Sequence, residues 1–162
     1  MSQPLVPIIM GSKSDLAHGQ KIASALAEFG IESQIRVASA HKAAVYCLGL
    51  LNHYESLDRP KVYVTIAGRS NALSGLVDAH VASPSIACPP PSNSFGGADI
   101  FSSLRMPSGV APAVVLDAGN TALLAAKIFA LSDADIAQKV QHCQDAHRNK
   151  VIASDGELNE QG

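Results

Sequence analysis

The sequence predicts an α/β fold: a three-layer α/β/α sandwich with a doubly wound parallel sheet and an additional C-terminal helix. Short apolar runs alternate along the chain with longer stretches of helical periodicity, which is typical of a parallel sheet covered by helices on both faces. The chain has 162 residues, a length that suits one domain. Because 47% of the residues are hydrophobic and 16% are charged, the chain can bury a packed core.

Five apolar runs predict the strands of this sheet. The first is compact and ends at Gly11, although Pro4 and Pro7 near its start are unusual in a central strand. The third has the β-branched and aromatic content of a strand, and the fourth stops at three consecutive prolines. The predicted strands are residues 5–10, 33–37, 62–67, 85–88 and 113–116.

The segments between the strands carry the signals of helices. In the first of them Ile22, Leu26 and Phe29 recur at helical spacing, and Gly30 follows as the residue that ends the helix. The segment after the fifth strand is rich in alanine and leucine, which favour helix. The last helix is expected to give way to a fraying polar tail. The predicted helices are residues 15–29, 43–54, 71–80, 98–104, 120–131 and 133–153.

The whole chain, residues 1–162, is predicted to be one domain, because no internal repeat, low-complexity segment or linker interrupts it. Crossovers between parallel strands are right-handed, so the expected arrangement is flavodoxin-like or Rossmann-like. In such sheets ligands bind outside the carboxyl ends of the strands. The residues that directly follow the first three strands are therefore the first candidates for a functional site.

The composition argues against several classes of function. A net charge of −2 without a basic tract predicts no nucleic-acid partner and no membrane partner. No apolar run reaches membrane-spanning length, and the first residues lack the pattern of a signal peptide. The three cysteines form no CxxC pair, which predicts reduced thiols in a cytoplasmic protein. Since no Cys/His cluster exists, no metal site is expected.

The turn after the first strand reads Gly-Ser-Lys-Ser-Asp and has the features of a phosphate site. Gly11 allows a tight turn, while Ser12, Ser14 and the N–H groups of the following helix can donate to an anion. Asp15 would repel phosphate, so it suits ribose hydroxyls better. An alternative needs no ligand: Ser14 or Asp15 could simply cap the helix.

The turn after the second strand reads Ser-Ala-His-Lys, beginning at Ser39. His41 can carry a proton near neutral pH, and the adjacent Lys42 supplies a permanent positive charge that could pair with phosphate. The alternative is a solvated turn without a catalytic role.

The turn after the third strand reads Ala-Gly-Arg-Ser-Asn. Gly68 permits a close backbone approach, and Arg69, Ser70 and Asn71 offer donors to a carboxylate or an oxyanion. A helix cap with exposed polar residues is again the alternative. The coincidence of three such turns at neighbouring strand ends is a stronger signal than any one of them.

Five longer stretches identify a family. They read IIMGSKSD, ASAHK, TIAGRSNALSG, IACPPPSNSFGGADIFSSLRMPSG and NTALLAAKIF. With them the chain resembles the phosphoribosylaminoimidazole carboxylase family of purine biosynthesis, from about residue 5 to residue 136. The resemblance implies a carboxy-lyase that needs no cofactor, assembled as a homo-octamer in which the C-terminal helix reaches a neighbouring subunit.

The family has two branches. One is a mutase that moves a carboxylate from N5 to C4 of the aminoimidazole nucleotide, and it typically carries SAHR. The other uses free carbon dioxide, and the SAHK and AGRSN of this chain are similar to that branch. The implied reaction is the reversible carboxylation of 5-aminoimidazole ribonucleotide at C4. The mutase remains the nearest alternative, and a non-catalytic flavodoxin-like nucleotide-binding module is a more distant one.

The resemblance also implies roles for the residues of the three turns. His41 is the implied proton carrier, and Asp15 the implied partner of the ribose hydroxyls. Ser70, with the backbone near Asn71 and Ala72, would cradle carbon dioxide or the new carboxylate. The loop 89–97 and the segment 102–109 would complete the site, partly across subunits. The residues predicted to bind substrate are Ser12, Ser14, Asp15, Ser39, Lys42, Gly68, Arg69, Ser70, Asn71 and Ala72.

Overall fold

A computed structural model describes residues 2–159 of the chain, and within them five parallel strands form one sheet. The strand order is β2-β1-β3-β4-β5, the flavodoxin-like order of doubly wound sheets. This confirms the predicted α/β fold and selects between the two arrangements that the sequence left open. The strands are β1 (Leu5–Met10), β2 (Glu32–Val37), β3 (Tyr63–Ile66), β4 (Ser85–Ala87) and β5 (Ala113–Val114).

Six α-helices and two 3-10 helices connect and cover the strands in the part of the chain that the structure describes. The 3-10 helices, Lys13–Asp15 and Ser94–Ile100, lie after β1 and after β4. The α-helices are α1 (Leu16–Glu28), α2 (Ala44–Glu55), α3 (Ala72–Asp78), α4 (Phe101–Leu104), α5 (Ala118–Phe129) and α6 (Ala134–Asn159).

Two hydrophobic clusters, one on each face of the sheet, make the three layers. Val6 and Ile8 of β1 pack on one face with residues of α1, α5 and α6, while Leu5 and Ile9 pack on the other with residues of α2 and α3. Every residue of β1 is buried, as expected for a central strand covered on both sides. Pro7 is tolerated there because it lies in the gap between an isolated bridge from Leu5 to Lys61 and the ladder with β3, which begins at Ile8.

Several element boundaries differ from the prediction. β5 stops at Val114 because β4, its only neighbour, ends at Ala87 before the three prolines. α5 begins at Ala118, two residues early, because the Asp117 carboxylate accepts the Asn120 N–H at 2.8 Å and caps the helix. Within the predicted loop over residues 92–97, Phe95, Gly96 and Gly97 have left-handed φ angles of 53°, 64° and 84° and are not helical, and short 3-10 turns flank them within Ser94–Ile100.

The expected fraying of the chain after residue 153 is wrong within the described residues. α6 continues to Asn159, and side-chain bonds to the preceding turn support its last residues. Ser154 Oγ donates to the Lys150 carbonyl at 2.9 Å, and Asn159 Nδ2 donates to the Asp155 carbonyl at 3.0 Å. Residues 160–162, the end of the predicted tail, lie outside the described residues.

None of the helices in residues 2–159 is both long and apolar enough to cross a membrane. The three thiols are free: Cys47 and Cys88 are buried, and Cys143 is half-buried. This agrees with the expectation of reduced thiols.

Candidate active site

The three polar turns meet because their strands are neighbours in the sheet. β1 lies between β2 and β3, and all three run in the same direction, so their carboxyl ends share one edge. Backbone bonds tie the turns together: the Gly11 N–H donates to Ile66 O and the Ala38 N–H donates to Met10 O, both at 2.9 Å. This edge is also the point where the strand order reverses, the usual ligand position in open α/β sheets.

A hollow of about 600 Å³ lies between the turns, a volume within the range of small-molecule sites. Side chains from all three turns line it, and the proline-rich segment after β4 closes a fourth side. The lining residues are Gly11, Ser12, Ser14, Asp15, Ser39, His41, Lys42, Ala67, Gly68, Arg69, Ser70, Pro90, Pro91, Ser92 and Ser94.

The first turn is capped by Ser12, a residue that the sequence analysis did not consider as a cap. Ser12 Oγ accepts the Ser14 N–H at 3.2 Å and the Ser14 hydroxyl at 2.8 Å, whereas the Asp15 carboxylate caps nothing. Asp15 does stand at the N-cap position of α1, as the capping alternative expected, but its side chain makes no capping bond. Asp15 remains free to meet a ligand, and both serine side chains are exposed on the wall of the hollow.

The Asp15 carboxyl lies in an electrostatically unfavourable position. Burial raises its pKa, and the nearby Ser14 side chain and the charge of His18 offset this only in part. Within residues 2–159 no lysine or arginine forms a salt bridge with it. A half-buried carboxylate without a cation is well suited to accept hydrogen bonds from the hydroxyls of a ligand.

The second turn is closed by Ser39. Its hydroxyl oxygen accepts the Lys42 N–H at 3.2 Å, and its carbonyl accepts the Ala43 N–H at 2.9 Å. These bonds shape the backbone ahead of α2 and leave the side chains of His41 and Lys42 exposed in the hollow. An imidazole and a lysine side chain thus lie next to each other in the hollow that Asp15 also lines.

The third turn brings Gly68, Arg69 and Ser70 into the hollow but not Asn71 or Ala72. The Asn71 side chain is buried and caps α3 by accepting the Ser74 N–H at 3.1 Å. The N–H groups of Asn71 and Ala72 donate to Ser102 Oγ and to the Ser70 carbonyl. In this structure both N–H groups that were predicted to contact the substrate are therefore already bonded within the protein.

One residue that sequence reasoning missed is His18, one helical turn after Asp15. Its Nε2 lies 3.2 Å from the Sγ of buried Cys88, which follows β4. Burial lowers the pKa of His18, so the ring favours the neutral form. The spacing of three residues from Asp15 was visible in the sequence, but the contact with Cys88 was not.

The charges and donors of the hollow suit a phosphorylated ligand that carries hydroxyls. Lys42 and Arg69 are cations, Ser12, Ser14, Ser39 and Ser70 offer hydroxyls, and Asp15 is the single acidic side chain in the lining. Arginine and lysine are the usual partners of phosphate and carboxylate. Among the described residues no group of three or more His, Cys, Asp or Glu side chains could hold a metal ion.

Comparisons with known proteins agree with this geometry. A family model described as AIR carboxylase matches residues 5–150. A phosphoribosylaminoimidazole carboxylase of Treponema denticola is 58% identical over 156 residues, which cover 96% of this chain and 98% of that protein. Another, of Archaeoglobus fulgidus, is 57% identical over 151 residues, 93% of this chain and 83% of that protein. The crystal structure of Treponema denticola PurE matches with a TM-score of 0.95 at 58% identity, covering 96% and 99% of the two chains.

Proposed function

The chain belongs to the AIR carboxylase family, and from this premise we propose that it joins free carbon dioxide to C4 of 5-aminoimidazole ribonucleotide. As a member it is an enzyme of purine biosynthesis. The observation that carries the proposal is the single hollow into which Asp15, His41 and Ser70 all project from separate turns. The product is 4-carboxy-5-aminoimidazole ribonucleotide, and the reaction is reversible, so the same site also decarboxylates.

The nucleotide binds through its phosphate and ribose. Ser12, Ser14, Ser39 and Lys42 surround the phosphate, and Asp15 accepts hydrogen bonds from the ribose hydroxyls. These groups are remote from C4, so their binding energy orients the ring without taking part in the chemistry. The exposed positions of the serine and lysine side chains in the hollow support this assignment.

The carboxylation has two steps. The exocyclic amino group pushes electrons through the ring, C4 forms a bond to the carbon of carbon dioxide, and one C=O π bond breaks to leave a carboxylate. Ser70, with Arg69 beside it, stabilises the charge that develops on this group. Neutral His41 then removes the proton from C4, and the C–H electron pair restores the aromatic ring. The proton leaves His41 for solvent, and no step uses a cofactor.

Free carbon dioxide, rather than a carboxylate carried on N5, is the proposed source. Lys42 stands in SAHK, and Arg69, Ser70 and Asn71 stand in AGRSN, as in the branch that uses carbon dioxide directly. The names of the Treponema and Archaeoglobus relatives support carboxylation as well. The mutase is the second candidate because it would use the same hollow. A non-catalytic nucleotide module would leave His41 without a role.

A paired-substrate assay separates the candidates. The purified protein receives either 5-aminoimidazole ribonucleotide with bicarbonate and carbonic anhydrase, or the N5-carboxy nucleotide in carbonate-free buffer. The carboxylase turns over the first at a rate that rises with carbon dioxide and does not accelerate the second beyond its spontaneous decay. The mutase reverses that pattern, and the binding module turns over neither. The His41→Asn variant serves as the control for contaminating activity.

We further propose that the chain, residues 1–162, is one AIR carboxylase domain that works as a homo-octamer in the cytoplasm. The family match over residues 5–150 supports the single domain. The outer part of α6 supports assembly, because Val151, Ile152 and Leu158 are 70%, 62% and 74% exposed there. Large apolar side chains at such exposure are typical of a surface that another subunit covers. Three free thiols agree with a reducing compartment.

A further inference from the structure

Residues 99–103, which include the first residues of α4, are bonded to the turn after β3. Four hydrogen bonds join them, and all connect residues about 30 positions apart in the chain. Asp99, Ser102 and Ser103 provide the side chains on one side. On the other side the partners are the backbone of Arg69 and Asn71 and the Asn71 amide. We refer to these four bonds as the clamp.

Ser102 is the centre of the clamp. Its Oγ accepts the Asn71 N–H at 2.9 Å and lies 3.0 Å from the Arg69 carbonyl and 2.8 Å from the Asp99 carbonyl. A hydroxyl has one proton, so it donates to one of these carbonyls at a time. One oxygen atom therefore contacts the backbone on both sides of Ser70.

Asp99 restrains the same turn from its other end. Its Oδ2 accepts the Arg69 N–H at 3.1 Å. Within residues 2–159 its carboxylate takes part in no salt bridge. The negative charge is thus directed at a backbone donor, which strengthens that bond relative to one between neutral groups.

The clamped backbone is strained. Arg69 has a φ of 56°, in the left-handed region that residues with a side chain rarely occupy. Such a conformation persists only where the surroundings impose it, and it concentrates at functional sites. Here the clamp bonds the N–H and the carbonyl of Arg69 itself. Without these bonds the turn would be expected to relax to a negative φ and to shift Ser70.

We propose that Asp99 and Ser102 are positioning residues that hold the Arg69–Ser70 peptide in the geometry required for the carboxylation step. This inference rests on the proposed function and deepens it by separating two tasks. The turns after β1 and β2 bind the nucleotide, whereas the clamped third turn receives carbon dioxide and the new carboxylate. Neither clamp residue touches the phosphate or ribose subsite, because the clamp connects only the third turn with residues 99–103.

If the turns have these separate tasks, loss of the clamp should lower turnover without weakening nucleotide binding. Loss of the clamp displaces Ser70 by a fraction of an ångström to an ångström, and misplacement on that scale can lower turnover by on the order of 10- to 100-fold. The affinity for 5-aminoimidazole ribonucleotide should change by no more than about twofold, since its binding groups lie on the other turns. A residue that served only folding would lower the melting temperature and the active fraction, and would leave kcat per folded molecule unchanged.

The test uses the full-length protein with Ser102→Ala, Ser102→Thr, Asp99→Ala and Asp99→Asn. Steady-state kinetics are measured against both 5-aminoimidazole ribonucleotide and bicarbonate, nucleotide binding by calorimetry, and folding by circular dichroism. We expect both alanine variants to lose kcat and to need more carbon dioxide at unchanged nucleotide affinity. Ser102→Thr keeps the hydroxyl, and Asp99→Asn keeps an acceptor oxygen, so each should restore much of the loss. Ser24→Ala, at an exposed position on α1 away from the hollow and from the outer part of α6, is the matched control.

The outcomes are distinguishable. Wild-type kcat in both alanine variants overturns the inference while the proposed function stands. Nucleotide affinity that falls as much as kcat overturns it too, because the clamp would then support the whole hollow. If an alanine variant does not fold, Asp99→Asn decides the question, because its uncharged oxygen bonds the Arg69 N–H more weakly. A partial loss of kcat at unchanged nucleotide affinity then supports the inference, and wild-type kcat overturns it. A wild-type protein without carbon dioxide-dependent turnover overturns the proposed function and this inference together.

Discussion

The position of His41 suits the role of proton carrier that we propose for it. The Ser39 bonds shape the turn, the imidazole stands exposed in the hollow, and Lys42 lies next to it. A histidine with access to solvent can take a proton from C4 and release it to water within each turnover. No other described histidine lines this hollow.

Replacement of His41 by asparagine should therefore remove turnover and preserve binding. Asparagine has a similar size and can hydrogen-bond, but it cannot carry a proton at neutral pH. Loss of a general base lowers rates by roughly 10²- to 10⁴-fold, while the dissociation constant of 5-aminoimidazole ribonucleotide should change only slightly. Stopped assays and calorimetry measure the two quantities. Near-normal turnover would contradict the role of His41 as proton carrier.

His18 makes the stability of the fold depend on pH. Burial lowers its pKa below the ordinary value of 6.5, and the charge of Lys21 lowers it further. The contact with Cys88 and the Asp15 and Asp117 carboxylates raise the pKa, but they do not compensate fully. The unfolded chain therefore takes up a proton before the folded chain does as the pH falls. The contribution of His18 is present above pH 6.5 and is lost as the pH drops below that value.

We expect the free energy of unfolding to fall between pH 7 and pH 5, and the His18→Gln variant to show a smaller fall. Urea denaturation at a series of pH values measures this. His53→Gln, at an exposed position on α2, should reproduce the wild-type slope. Equal slopes in wild type and His18→Gln would show that His18 is not the titrating group.

At the level of elements, the sequence predicted the features that depend on residues close together in the chain, and it missed contacts between residues far apart in the chain. The strands, the five longer helices and the convergence of the three turns followed from local patterns and from the geometry of parallel sheets. The contact of His18 with Cys88 joins residues 70 positions apart, and the Arg69 N–H meets Asp99 across 30 positions. Such contacts depend on how the loops pack against each other, and the hydrophobic periodicity of the sequence carries no information about loop packing.

The same limit applies to the predicted roles of Asn71 and Ala72. A polar turn after a strand suggests free N–H donors, and the sequence alone cannot tell whether a second segment already uses them. Here Ser102 and Ser70 accept these two N–H groups. The N–H groups expected to bind the carboxylate therefore stabilise the turn itself.

The alanine-rich face of α5 lets this helix approach α1 closely. Ala122, Ala125 and Ala126 are completely buried in the cluster that contains α1. Ala126→Leu adds three carbon atoms where no space exists, and overpacking of this kind costs about 1–3 kcal/mol. Urea or thermal unfolding measures the loss. The exposed Ala134→Leu variant is the control, and a stability of Ala126→Leu equal to wild type would contradict the close packing.

At the scale of the whole molecule, the outer part of α6 has no packing partner among the described residues of its own chain, since residues 146–159 are all exposed. The apolar side chains there are the basis for the proposed assembly. Val151→Asp places a charge in that surface and should shift the protein toward smaller species. Sedimentation velocity measures the distribution, with Ser24→Asp on the exposed face of α1 as a control for added charge. An unchanged distribution in Val151→Asp would exclude this part of α6 from the interface.

We propose that three turns at one edge of a parallel sheet hold one nucleotide with its C4 between His41 and Ser70. A crystal structure of the protein with 5-aminoimidazole ribonucleotide tests this most directly. We predict the phosphate beside Ser12, Ser39 and Lys42, with the ribose on Asp15. Electron density for the nucleotide in another cavity, or with C4 turned away from His41, would contradict the account.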